Sequence, residues 1–225
     1  MIIEAIILTK SSKNGGYCVA GIETSTGKWI RFVSNNEATA GAIDERDMRC
    51  SNGAICCPLD VVQVKVREAR PSAYQPENFL IDDNCCWQHV GTASLQDVLY
   101  LHPCENEEFL YGNTDPYINE CVIESLHRSL ILVEVSNFTI WKSGFQERLR
   151  SKARFSYNGH LYNDISVTDP AFYNVPDFTH FNRAFLVVSL PGAGFSGELF
   201  EGMPFINLSL RFFRQSKMST YVQDF

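Results

Sequence analysis

The chain has 225 residues, of which 45% are apolar and 20% charged, the composition of a folded globular protein and not of a disordered or collagen-like one. Its 26 acidic and 19 basic side chains leave a formal net charge of −7, which argues against coating nucleic acid by bulk positive charge. No apolar run approaches the roughly 18 residues that a spanning helix needs, so no membrane partner is expected.

The first 70 residues read as β structure. Ile2 to Leu8 is an apolar run that holds Glu4 and lacks a basic leader, so it reads as a strand and not as a signal peptide. Tyr17 to Glu23 follows a Gly15-Gly16 turn, and Thr24-Ser25-Thr26-Gly27 closes a hairpin into Lys28 to Val33. In Leu59 to Glu68, Val62, Val64 and Val66 alternate with Gln63, Lys65 and Arg67, which predicts one buried and one wet face. Residues 71 to 128 are proline-punctuated and polar. Ser94 is placed to cap a helix over Leu95 to Leu101 that Pro103 stops, and Asn119 to Arg128 is a second helical candidate. Strand patterns return at Leu130 to Val135. They continue in a hairpin from Ala153 to Ile165 turned by Asn158-Gly159, and in Phe185 to Leu190 and Phe205 to Phe213.

Two β-rich halves therefore flank a mixed connector, which suits two small antiparallel barrels or sandwiches. Alternating β and α units are missing, against a doubly wound fold. The charge is unevenly spread. Residues 1 to 70 carry nine basic and eight acidic side chains, residues 71 to 128 one basic and ten acidic, and residues 129 to 225 nine basic and eight acidic. The acidity belongs to the connector, and neither β half repels a polyanion.

The segments ILTKSSKNGGYCVAGIETSTGKWIRFV (7–33), PLDVVQVKV (58–66) and YQPENF (74–79) resemble the dual OB-fold domain family of prokaryotes. The resemblance implies two OB barrels, a nucleic-acid-binding or nucleotide-sensing role, and a setting among mobile and defence-related genes. The fold expected is thus mainly β: two small OB-like antiparallel β-barrels, 1–70 and 129–225, joined by a mixed α/loop connector, 71–128.

Two binding surfaces stand out. On a strand, Ile30 and Phe32 share one face and Trp29 and Arg31 the other. If Ile30 and Phe32 fill the barrel, Trp29 stacks a base and Arg31 meets a phosphate; the competing reading makes Trp29 core and Arg31 an ordinary surface charge. Lys28, beside Trp29, and Lys10, Lys13 and Tyr17, around the preceding turn, would extend that surface. The second surface is Arg148-x-Arg150-x-Lys152-x-Arg154, which lines one face if extended and breaks up if helical. Tyr157, His160 and Tyr162 follow around its hairpin.

Other motifs carry less. The eight cysteines lack a C-x-x-C pair, so they read as reduced thiols and no metal or cofactor is expected. Gly192 to Gly197 matches G-x-G-x-x-G, but Gly202 and Pro204 leave no room for the helix a dinucleotide site needs, so it reads as a loop. No nucleophile elbow or zinc-protease motif is present. The expectation is a non-catalytic cytoplasmic module recognising single-stranded nucleic acid or a nucleotide. The alternative is a regulatory subunit docking a protein partner through its acidic connector, which charge reversal of Glu105, Glu107 and Glu108 would test.

Overall fold

A computed structural model describes residues 1–115, 117–119, 125–144 and 150–190, together with the strand backbones at 196–197, 205–207 and 209–213. The first sheet is built from β1 (Ile2–Lys13), β2 (Gly16–Glu23), β3 (Trp29–Val33), β4 (Asp60–Ala69) and β5 (Asn78–Ile81). β1 pairs with β2, β2 with β3, β3 with β5, β5 with β4, and β4 returns to β1. Only the β3–β5 pair is parallel. A sixth strand, β6 (Gln88–Thr92), lies along β4.

The expected boundary at residue 70 falls between the fourth and fifth strands of this ring. The closing strand, β5, is four residues long and follows Gln75-Pro76, so its short period was hidden behind a turn signal. After β6, helix α1 (Leu95–Leu101) starts where expected. Ser94 Oγ accepts from Asp97 N at 3.2 Å, and Asp97 Oδ2 accepts from Ser94 N at 2.7 Å, a reciprocal capping box. Of the second helical candidate, Asn119 ends a short strand, β7 (Tyr117–Asn119), and residues 120–124 lie outside the described residues.

The second half closes a barrel from β8 (Leu130–Ser143), β9 (Arg150–Tyr157), β10 (His160–Val167), β11 (Thr179–Ser189) and, past the two short strands β12 (Ser196–Gly197) and β13 (Phe205–Asn207), β14 (Ser209–Phe213). β12, β13 and β7 form a separate small sheet. The barrel repeats the first connectivity. β8 pairs with β9, β9 with β10, β10 with β14, β14 with β11 and β11 with β8, again with one parallel pair, β10–β14. In each half the strand order is first, second, third, fifth, fourth and back to the first, the five-stranded OB arrangement. The molecule is mainly β, with two OB folds in tandem.

Alternation explains what is buried. Val62, Val64 and Val66 are at most 1% exposed, while Lys65 and Arg67 face water. In β9, Ser151, Ala153, Phe155 and Tyr157 point inward. The β9–β10 hairpin turns on Asn158 and Gly159, both at positive φ (47° and 83°), which is why this pair is favoured there. Each barrel has its own core, one centred on Ile7, Phe32, Val64 and Trp87, the other on Phe138, Phe155, Tyr162 and Leu186. A third cluster lies between them, where Ile6, Leu8, Ala20 and Ile22 meet Leu130, Leu132 and Val187, with Val98 of α1 wedged alongside. Burying a large aliphatic side chain fully is worth roughly 1.5–3 kcal/mol, so this shared apolar seam favours one arrangement of the two barrels.

Candidate nucleic-acid interface

The seam decides the fate of the first expected surface. Ile30 and Phe32 fill the first barrel, 2% and 1% exposed, and Trp29 and Arg31 lie on the opposite face, as the alternation requires. That face is not solvent. Trp29 packs into the seam, edge-on to His102 with ring centroids 5.2 Å apart, and His102 Nδ1 donates to Gly27 O at 2.8 Å. Arg31 is 2% exposed. Its Nη2 donates to Glu77 Oε1 at 3.1 Å and to Ser129 Oγ at 2.6 Å, its backbone N donates to Glu77 O at 2.9 Å, and Ser129 Oγ donates to the same Glu77 oxygen. The expectation of an outward-facing Trp29–Arg31 platform is corrected. The seam, the connector residues His102 and Glu77, and Ser129 at the entry to the second barrel cover it, a fact of tertiary packing that strand alternation does not carry.

The companions of that platform separate. Lys28 is exposed at the β2–β3 turn. Lys10, Lys13 and Tyr17 stand at the other end of β2, around the β1–β2 turn. Lys10 Nζ sits 4.7 Å from the centre of the Tyr17 ring, Lys13 Nζ donates to Ala40 O at 3.0 Å, and Tyr17 Oη donates to Glu45 Oε2 at 3.4 Å. Burial, then Glu45, and least of all Tyr173 of the second barrel push the Tyr17 phenol above its ordinary range.

The second expected surface is extended where it is described. Arg150, Lys152 and Arg154 alternate on the outer face of β9, while Arg148 lies outside the described residues. Arg150 and Arg154 are exposed and make no ion pair among the described residues. Lys152 Nζ donates to Asp164 O at 3.0 Å and Asp164 Oδ2 at 3.2 Å, which ties it down across the β9–β10 bulge. Register then supplies residues that the sequence reading missed. Trp141 of β8 stands beside Lys152, Thr139 beside Arg154 and Ser143 beside Arg150. On the other side of Lys152 lies Ser166. His180 of β11 extends the Arg154 row, its Nδ1 2.9 Å from Thr139 Oγ1. Leu161 and Asn163 are exposed on β10. The cationic stripe thus has an indole on its flank, two elements of a single-strand platform. Trp141 lies beyond the apolar run Leu130 to Val135 that marks the strand in the sequence, and its neighbours are set by register.

Three other expected residues do not share this face. Tyr157 and Tyr162 are 2% and 0% exposed, in the barrel core. Their hydroxyls reach the end of the barrel. Tyr157 Oη donates to Glu105 O at 3.1 Å, and Tyr162 Oη donates to Asn113 O at 2.7 Å and accepts from Leu110 N at 2.9 Å. His160 Nε2 donates to Thr114 O at 2.7 Å and its ring meets Phe109 edge-on. These three side chains stitch the connector to the β9–β10 hairpin. The expectation that they line a binding groove is corrected by this inward placement, which follows from the strand period of two.

Of Glu105, Glu107 and Glu108 in the connector, the first two are occupied. Arg128 Nη1 donates to Glu105 Oε1 at 3.0 Å and its Nη2 to Glu107 Oε1. The seven described cysteines are free, and no cluster of three or more metal-ligating side chains occurs among the described residues. Burial pushes the Cys56 thiol well up and the Cys104 thiol to about 11. Of the G-x-G-x-x-G segment only Ser196–Gly197, as β12, falls among the described residues. A cavity of about 460 Å³ opens between the end of β3 and the β4–β5 loop, lined by Asn35, Arg70, Gln75 and Asn78 among others.

Comparison with known proteins agrees with this architecture. A family model described as dual OB-containing domain matches residues 3–203. No curated protein matches the sequence. The solved structure described as "Structural mimicry for functional antagonism" aligns over 95% of this chain and 92% of its own, at 11% identity and a TM-score of 0.37, a likeness too slight to bear on fold or function.

Proposed function

The chain belongs to the dual OB-containing domain family, and from that premise we propose that it is a non-catalytic module that holds single-stranded nucleic acid on the outer face of its second barrel. OB folds bind oligonucleotides across their second and third strands. The single observation behind the choice of barrel is the outward stripe of exposed Arg150 and Arg154 with half-buried Lys152 between them, flanked by Trp141, on the second strand of the second barrel. The equivalent face of the first barrel is spent on the seam. Arginines meet phosphates and the indole stacks on a base without regard to its identity, so affinity is electrostatic and sequence-tolerant.

Fluorescence anisotropy with a labelled single-stranded oligonucleotide at low salt tests this. Binding is expected to weaken with salt at a log–log slope of about −2, from three phosphate contacts at roughly 0.7 each. Arg150→Ala/Arg154→Ala is expected to weaken it at least tenfold. Absence of binding, or a double variant that binds as well as the parent, overturns the reading.

A nucleotide-sized ligand is the second reading. It is favoured by the 460 Å³ cavity, within the size range of ligand pockets, where Asn35 Oδ1 anchors Arg70 Nη1 at 2.6 Å. Thermal-shift titration with mononucleotides, with and without Arg70→Ala, tests it. Docking a protein partner through the acidic connector draws no support from Glu105 and Glu107, which Arg128 already holds. The resemblance of residues 7–79 supports a place in a prokaryotic defence or mobile-element system, which the neighbouring genes test.

A further inference from the structure

We infer, resting on the reading above, that a strand held on β9 continues across the 168–178 loop of the second barrel onto the β1–β2 hairpin of the first, where Lys10, Lys13 and Tyr17 form a second landing point. The loop is bonded on both sides. Towards β9, Ser151 Oγ donates to Phe172 O at 3.2 Å, and Lys142 Nζ donates to Phe172 O and to Tyr173 O, both at 2.8 Å. The Tyr173 backbone therefore stands at the start of β9 on the inward side of Ser151, one residue along the strand from the outward-facing Arg150. Towards the first barrel, Ser12 N donates to Thr168 O at 3.2 Å, the same carbonyl that Tyr173 Oη reaches at 3.3 Å. Ser12 is one residue from Lys13 and pairs with Tyr17 in the β1–β2 ladder.

Between the two sets of cations the loop exposes one aromatic ring, Tyr173 (44%), whose hydroxyl reaches the hairpin's own partner carbonyl, Thr168 O. An exposed ring between cations is what a base stacks on as a backbone tracks a charged path. The carboxylates of the loop are turned to the backbone. Asp169 Oδ1 accepts from Ala171 N at 2.9 Å, and Asp177 Oδ1 from Lys142 N at 2.8 Å. The seam fixes the hairpin relative to β9, so the second landing point is preorganised. The residues that the sequence grouped with Trp29 and Arg31 thus serve the other barrel's ligand.

The test uses the full chain and two labelled thymidine oligomers, one of about five nucleotides, which one barrel face accommodates, and one of about fifteen. The parent is expected to bind the longer at least tenfold more tightly. In Lys10→Gln/Lys13→Gln that gain is expected to vanish, with the short oligomer bound as before and the salt slope for the long one reduced by about 1.4. Tyr173→Ser, which leaves both lysines in place, gives an independent loss of the same gain should the lysine variant fold poorly. A length gain that survives both variants, or no length gain in the parent, overturns the inference. Failure of even the short oligomer to bind sinks the underlying reading, and this one with it.

Discussion

Arg31 and Glu77 show what one buried pair does in this molecule. Their side chains are 3% and 7% exposed, and Ser129, immediately before β8, closes the triangle. Arg31 sits in the first barrel and Ser129 at the entry to the second, so the pair clasps one to the other. Removing one partner strands the other's charge away from water. Arg31→Met is therefore expected to destabilise by roughly 3–5 kcal/mol in urea unfolding, and Arg31→Met/Glu77→Leu to recover most of the loss. A single variant as stable as the parent would contradict the clasp. On the surface, Asp82 offers a pH readout. The hydrogen bond from Lys65, whose ammonium lies 3.1 Å away, is the largest influence holding its carboxyl down at about 2. A depressed native pKa stabilises the fold above the unfolded value of about 4 and loses that contribution as the pH falls towards 2. In Lys65→Met, carboxyl NMR titration is expected to find Asp82 moved up towards its ordinary value, with Asn84 N and Cys85 still bonded to it, and an unmoved titration would refute the assignment. Residue by residue, the inward or outward sense of Ile30, Phe32 and Arg31 was legible from period-two alternation. What covered Arg31 was not, because its partners lie 46 and 98 residues away in sequence.

Among the elements, those with strong local chemistry were legible in full. The Asn158-Gly159 hairpin and the capped helix α1 announce themselves by turn and capping residues whose backbone needs are local. Ser94→Ala removes half of the capping box and is expected to cost about 1 kcal/mol in chemical denaturation, more than an exposed serine outside a cap would. An effect indistinguishable from zero would mean that the seam, and not the cap, holds α1. The elements missed were short or set by register. β5 has four residues and owes its place to pairing with β3 and β4. β8 runs to Ser143, where Ser136 to Asn137 break the apolar pattern at a bulge opposite β9. That bulge hid Trp141, and with it the aromatic half of the candidate platform. The cationic half was legible because Arg150, Lys152 and Arg154 alternate in one strand.

At the scale of the whole molecule, two rings of the same connectivity share one apolar seam. The repeat is topological and leaves no fixed period in the sequence, since the connections between equivalent strands differ in length. The seam has two consequences. It couples the barrels, so calorimetry is expected to show one unfolding transition with equal calorimetric and van't Hoff enthalpies, and two resolved transitions would contradict the coupling. It also makes the barrels unequal, burying the outer face of β2 and β3 while leaving that of β9 and β10 open. The net charge of −7 says little about either face, because the acidic excess lies in residues 71–128. The most direct test of this division is backbone amide NMR of the full chain titrated with a short single-stranded oligonucleotide. Shifts are expected to gather at Thr139 to Ser143, Arg150 to Arg154 and Leu161 to Ser166. Shifts centred instead on Ala20 to Ile22 and Trp29 to Arg31, with β9 silent, would contradict it.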